Sequence, residues 1–187
     1  MSALPQPERS AVTDTLAAWQ AREAELRALQ LRSGLGRPEQ FAGRSGIEIF
    51  QAMLRGEIPV PPISETLDFQ LVEAEPGRVQ FQGRPQFAHY NPLGSVHGGW
   101  IATLLDSAVA CAVHTLLPAG KTYTTLELKV NYLRAMSRDT GPVRAEGTVL
   151  HSGSRTALAE GRLLDSGGRL LAHATTTCMI MRPMGGG

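Results

Sequence analysis

Charge of one sign is missing from this 187-residue chain: 18 Lys and Arg face 17 Asp and Glu, and the formal net charge is +1. The basic residues are scattered, which leaves no electrostatic footprint for nucleic acid. Cysteine is scarce. Cys111 and Cys178 both lie in apolar runs, so they read as small buried thiols of a reducing compartment and exclude a disulfide framework. His89, His97, His114, His151 and His173 show no ligand spacing, so neither a metal nor another cofactor is expected. The segment Met1–Arg9 lacks the apolar core of a signal peptide. The longest apolar run, Trp100–Leu117, approaches membrane-spanning length, but Asp106 and His114 interrupt it and Ala, Ser and Thr dilute it. It reads as a helix wrapped by protein, in a cytoplasmic chain that has neither membrane nor nucleic acid as partner. Repeats and low-complexity blocks are absent.

What is present suits one domain with an extension: 42% hydrophobic and 19% charged residues supply a real core. Residues 1–62 read as a helical extension. An amphipathic helix is expected from about Ala11 to Ser33, stopped by Gly34-Leu-Gly36 before Pro38, and a second over Gly46–Arg55. Ile58-Pro-Val-Pro-Pro62 then forces an extended connector. Residues 63–182 change texture. Leu67–Glu73 and Gly77–Arg84 flank Glu75-Pro-Gly77 as a hairpin, and a long helix follows over Gly98–Leu117. Four further strands are expected: Tyr123–Leu133, Gly141–His151, Arg155–Asp165 and Arg169–Met181, with Asp165-Ser-Gly-Gly168 as a tight turn. The fold class is therefore α+β, an antiparallel sheet around one helix. The tail 183–187 is expected to be disordered.

The chain is organised around Asn91-Pro-Leu-Gly-Ser-Val-His-Gly-Gly99 and the helix it opens into. Gly98 and Gly99 stand where that helix begins, so backbone N–H groups at the positive end of its dipole are approachable. Asp106 then interrupts the apolar helix. Its neighbours Ile101, Ala102, Leu104, Leu105, Ala108, Val109 and Ala110 are apolar, and no Lys or Arg lies three or four positions away. A carboxylate placed there costs several kcal/mol unless it is hydrogen-bonded or paired, roughly, which makes Asp106 a functional candidate.

Asn-Pro-x-Gly-x-Val-His-Gly-Gly followed seven residues later by Asp resembles the hotdog-fold acyl-CoA thioesterases of the PaaI / 4-hydroxybenzoyl-CoA thioesterase superfamily. Leu126–Arg134 and the hairpins at His151–Arg155 and Asp165–Leu170 are similar to that family as well, and the likeness covers roughly residues 62–182. The resemblance implies a hotdog fold, an acyl-CoA substrate and a homodimer or homotetramer. It implies Asp106 as base or nucleophile, the Gly98 N–H as oxyanion donor, and Asn91 as a polar contact to the thioester or attacking water. His97 carries two readings, a catalytic one and a ring that shapes the loop. Thr125 aligns with a hydroxyl that positions water in some relatives, with Thr124 next to it and the register open by one. Gly99, Arg134, Ser154 and Arg155 match places that contact substrate or hold coenzyme A. Some relatives carry Thr one turn after the acid; Ala110 stands there, which leans toward the Asp-type branch acting on phenylacetyl or medium-chain acyl groups.

Spacing adds a constraint independent of the resemblance. Gly98 and Asp106 are eight residues apart, about 12 Å along a helix, so one carbonyl group cannot touch both. If both serve one reaction, they come from different subunits across a two-fold axis. Two other functions compete with thioester hydrolysis. A hotdog hydratase or dehydratase would show a different sequence around its His, and a non-catalytic acyl-CoA-binding module has little use for Asp106. With only 5% aromatic residues, an aryl and an aliphatic acyl group are not separated. The N-terminal helices could cap the pocket or enlarge the oligomer.

Overall fold

The structure, a computed structural model, describes residues 9–29 and 31–182. The tail expected to be disordered lies outside the described residues. Four helices come first: α1 (Arg9–Ala28), α2 (Pro38–Phe41), α3 (Gly46–Leu54) and α4 (Pro62–Thr66). The hairpin β1 (Phe69–Glu75) and β2 (Arg78–Gly83) follows, then the long helix α5 (Gly98–Thr115). Four strands complete the chain: β3 (Thr122–Tyr132), β4 (Val143–Ser152), β5 (Thr156–Asp165) and β6 (Leu170–Met181). They form one antiparallel sheet of order β1-β2-β4-β5-β6-β3, wrapped around α5 in the hotdog arrangement.

Period-two patterning makes the sheet two-faced. In β2, Val79 and Phe81 point to α5 and are buried, whereas Arg78 and Gln80 point away, to Glu146 on β4. The inward set joins Trp100, Ile101, Leu104, Leu105 and Ala108 of α5 in the main core. Leu104 and Leu105 are fully buried, each a gain of about 1.5–3 kcal/mol. A second cluster around Val109, Val113, Ala159 and Cys178 fills the other end of α5. Cys178 is buried, Cys111 partly so, and both are free thiols.

The helices of the extension take different faces. α1 lies on the outer face of the sheet: Arg22 Nε donates to Val72 O (3.1 Å), Gln82 Nε2 to Glu23 (3.0 Å), and the Arg144 guanidinium sits 4.7 Å from the centre of the Trp19 ring. α3 docks instead on the C-terminal end of α5. Gly46 N donates to Leu117 O (2.9 Å), and a Cβ on Gly46 would stand 1.7 Å from His114 O, so only glycine fits this approach. A capping box of Ser45 and Glu48 starts α3.

Two expectations need correction. The first helix ends at Ala28, not Ser33. The backbone of Arg32 and Gly34 pairs with Val60 (Val60 N to Arg32 O 2.9 Å; Gly34 N to Val60 O 2.9 Å), so the connector draws these residues out of the helix. The connector itself stays extended only to Pro61. Pro62, at a first helical position where proline's missing N–H costs nothing, opens the short α4.

Candidate active site

The loop before α5 is built by its own side chains. Asn91 Oδ1 accepts from Leu93 N (2.9 Å) and Ser95 N (3.2 Å), and its Nδ2 donates to Ser95 Oγ (3.0 Å). This is the local side-chain turn that Asn-Pro favours, and it engages both ends of the carboxamide within the loop. His97 N donates to His89 O (2.8 Å), and His89 stacks on Trp100 at 5.0 Å between ring centres. The loop is therefore moored to the core one residue before the helix.

His97 is the N-cap of α5: its Nδ1 accepts from Gly99 N at 2.8 Å. Of its two readings, the geometry displays the loop-shaping one. It also occupies the Gly99 N–H. The Gly98 N–H takes no hydrogen bond among the described residues. Gly98 O accepts from the Tyr132 hydroxyl (3.1 Å), and a Cβ on Gly98 would press on the Tyr132 ring at 3.1 Å. The bare donor thus sits at the helix N-terminus, beside the last residue of β3.

Asp106 lies two turns further on, half-buried, on the side of α5 that faces β3. Thr125 Oγ1 donates to Asp106 Oδ1 at 3.2 Å. Thr125 faces the acid, whereas Thr124 pairs with exposed Met179 on the other face of the strand. A bulge between Thr125 and Glu127 interrupts β3 at this point, a common device beside active sites. Burial pushes the Asp106 carboxyl above the usual aspartate range, and the Thr125 hydrogen bond opposes that shift in part. The surroundings explain the direction. Cys111 Sγ lies 3.9 Å from the Tyr123 hydroxyl, and burial holds that thiol up at about 12 and raises Tyr123 too. A carboxylate ionised in such company is poorly solvated, basic for an aspartate and able to take a proton.

The remaining expected site residues lie elsewhere. Arg134 N donates to Leu171 O (3.1 Å) at one end of β6, whereas Arg155 O accepts from Ile180 N (2.8 Å) near its other end, with Ser154 in the adjoining turn. Nine strand steps separate the two points on β6, roughly 30 Å. One subunit does not bring Arg134, Ser154 and Arg155 around one ligand. Among the described residues, no group of three His, Cys, Asp or Glu is placed to hold a metal ion, and no helix is long and apolar enough to cross a membrane. The sequence reading missed Tyr132; an aromatic at the end of a strand carries no signal that it will return to a helix start 34 positions earlier.

Residues 93–172 match the model of the family described as Thioesterase superfamily. A protein of Saccharolobus solfataricus named as an esterase is 33% identical over 122 residues, which cover 64% of this chain and 84% of that one. A 1,4-dihydroxy-2-naphthoyl-CoA hydrolase of Listeria monocytogenes is 24% identical over 64% of this chain and 96% of its own. Among solved structures, a phenylacetic acid degradation-related protein of Ralstonia eutropha JMP134, described as a thioesterase, superposes with a TM-score of 0.63 at 32% identity. That superposition covers 70% of this chain and 98% of the other. The likeness in sequence and in fold, set on a helix that carries both a bare N-terminal donor and a desolvated carboxylate, places this chain in the thioesterase superfamily, among the thioester hydrolases.

Proposed function

We propose that the protein hydrolyses aryl- or medium-chain acyl-CoA thioesters to free acid and coenzyme A, in two sites shared between the subunits of a homodimer. The observation that carries this reading is the Asp106–Thr125 pair, held apart from the bare Gly98 N–H by two turns of one helix. β3 supplies the way to join them. It is an edge strand of 11 residues, and Leu126 and Tyr132 on it are more than half exposed. Asp106 adjoins Thr125 near one end of this edge, and Gly98 adjoins Tyr132 at the other. Antiparallel pairing of two β3 edges about an axis midway between them sets Gly98 of one copy beside Asp106 of the partner subunit. The same operation carries Arg134 of one copy toward the partner's Arg155, which supports a coenzyme A site at the seam.

In this arrangement the thioester carbonyl oxygen points at the Gly98 N–H and the helix dipole, which stabilise the developing oxyanion. Asp106 either takes a proton from water as that water attacks the carbonyl carbon, or attacks it directly and forms an anhydride that water then opens. In both routes the C–S bond breaks, the thiolate leaves and is protonated, and the acid is released. Thr125 holds one carboxylate oxygen and leaves the other for chemistry.

The test is thiol release from phenylacetyl-, hydroxybenzoyl- and C4 to C16 acyl-CoAs by wild type and Asp106→Asn. Wild type should turn over part of the panel, and the substitution should cost about 10²–10⁴-fold. Equal rates in both proteins would show that Asp106 is structural and the mechanism wrong.

A further inference from the structure

The active-site geometry leaves one apolar cavity unaccounted for, of about 230 Å³. Its walls come from parts of the chain that are distant in sequence, Leu71 of β1 and Phe81 of β2 among them. Phe50 and Met53 of α3 and Pro61 of the connector form one side; Cys111 and His114 of α5 and Tyr123 of β3 form the other. Among the described residues, no Asp, Glu, Lys or Arg lines it. Burial moves His114 toward its neutral form, and its ring lies between Phe50 (5.3 Å) and Tyr123 (5.2 Å). The cavity is therefore uncharged at neutral pH and rimmed by rings.

Its position relative to the acid follows from the elements. Cys111 is five residues beyond Asp106 on α5, about 7.5 Å along the axis. Tyr123 is two residues before Thr125 on the same face of β3. The acid and the cavity thus occupy consecutive stretches of one trough between α5 and β3. Such a trough would be open at this end without α3, and α3 is held there by the close contact of Gly46 with the end of α5.

We propose that α3 and the 58–61 connector form the floor of the acyl pocket, so that Met53 and Phe50 limit the length of the acyl group. This rests on the acyl-CoA hydrolase reading above and says which acyl groups it serves. The occupant is an apolar, uncharged acyl tail. An apolar cavity of about 150 Å³ holds a benzene ring, so by proportion this one takes roughly nine carbons, an arylacetyl group or a medium straight chain. A second carboxylate at the far end of the acyl group would find no cation among the described lining residues, and its desolvation disfavours dicarboxylic acyl thioesters.

The experiment compares wild type, Met53→Ala and Met53→Trp across straight-chain acyl-CoAs from C4 to C16, with melting temperatures checked first. In wild type, kcat/KM should fall at least tenfold between C10 and C14. Met53→Ala should move that fall to longer chains. Met53→Trp should lower the C8-to-C4 ratio of kcat/KM at least tenfold. An identical chain-length profile in all three folded proteins overturns the proposal. Calorimetric binding of non-hydrolysable alkyl-CoA thioethers separates it from the catalytic reading. If wild type hydrolyses nothing, the hydrolase reading fails, yet a tenfold loss in the decyl-to-ethyl affinity ratio in Met53→Trp still supports the pocket. No change in that ratio removes it.

Discussion

The two edges of the sheet are treated in opposite ways. At β1, a bulge between Leu71 and Glu73 lets consecutive residues Leu71 and Val72 both be buried, and α1, α3 and α4 pack against the strand. Among the described residues, the main neighbours of β3 are β6 beside it and α5 on its inner face, and it runs for 11 residues with Leu126 exposed. An open edge presents unpaired N–H and C=O groups, which proteins normally cover, shorten or charge. One edge is closed with local helices, and the other is left long beside the candidate catalytic groups. The contrast teaches that damage at β1 should appear as lost stability and damage at β3 as lost activity.

The strongest way to break this comparison is at β3. A two-fold axis midway between Thr125 and Tyr132 sets Leu126 opposite Asn131 of the partner subunit. The double variant Leu126→Glu/Asn131→Glu brings carboxylates face to face along the seam. It should sediment as a monomer and lose at least ~100-fold in thiol release, since neither site is then complete. A dimer with normal rates would end the shared-site scheme.

Gly98→Pro is a finer instrument. Proline is tolerated at the first helical position and deletes the N–H, and His97 already has the extended conformation that precedes proline (φ −65°, ψ 135°); Gly98→Ala, which meets the same Tyr132 contact at 3.1 Å but keeps the N–H, is the control against which the loss is read. Activity should drop about 10²–10³-fold, the effect of losing one oxyanion donor. Mixing this variant with Asp106→Asn under subunit exchange should restore about a quarter of wild-type activity, because half the dimers then hold one intact site. No recovery would place both groups in the same subunit or dismiss one of them.

At β1 the expected effects are on stability. Leu26, 1% exposed, is the buried anchor of α1, and Leu26→Ala should cost about 2–5 kcal/mol in urea unfolding with kcat/KM intact. The smallest effect tests the acid itself. Burial raises Asp106 in the folded chain, so its ionisation favours the unfolded state. The advantage of the neutral form is whole below the ordinary aspartate range and lost as pH rises through the raised folded value. Asp106→Asn should therefore match wild type in acid and melt above it by a widening margin up to neutral pH. In wild type, kcat/KM should rise with pH through an ionisation above that of an ordinary aspartate.

Patterning made the sheet and α5 readable, since Val79 and Phe81 against Arg78 and Gln80, or Leu128 and Val130 against Lys129, follow the pleat; Leu126, which the same alternation groups with Leu128 and Val130, instead stands 55% exposed at the bulge. The Gly98–Asp106 spacing already called for two subunits if both groups serve one reaction. What could not be read were pairings between remote segments. Nothing near Ser33 announces that Arg32 and Gly34 will bond to Val60. Nothing near Gly46 announces that it will lie against His114, and so the wall that α3 gives to the cavity is invisible from the sequence. Thr124 and Thr125 were separable only once a strand phase had been set by Asp106.

The peptide group between Gly98 and Gly99 is gripped from both sides, its oxygen by the Tyr132 hydroxyl and its N–H by the His97 ring. Two adjacent glycines form the loosest dipeptide a chain can hold, and here both polar atoms of the peptide that joins them are hydrogen-bonded. The ordering entropy is therefore met once, when the protein folds, and not again each time a substrate arrives. On the proposed mechanism, the Gly98 N–H next to this peptide is aimed before the oxyanion exists and has little left to rearrange during the reaction.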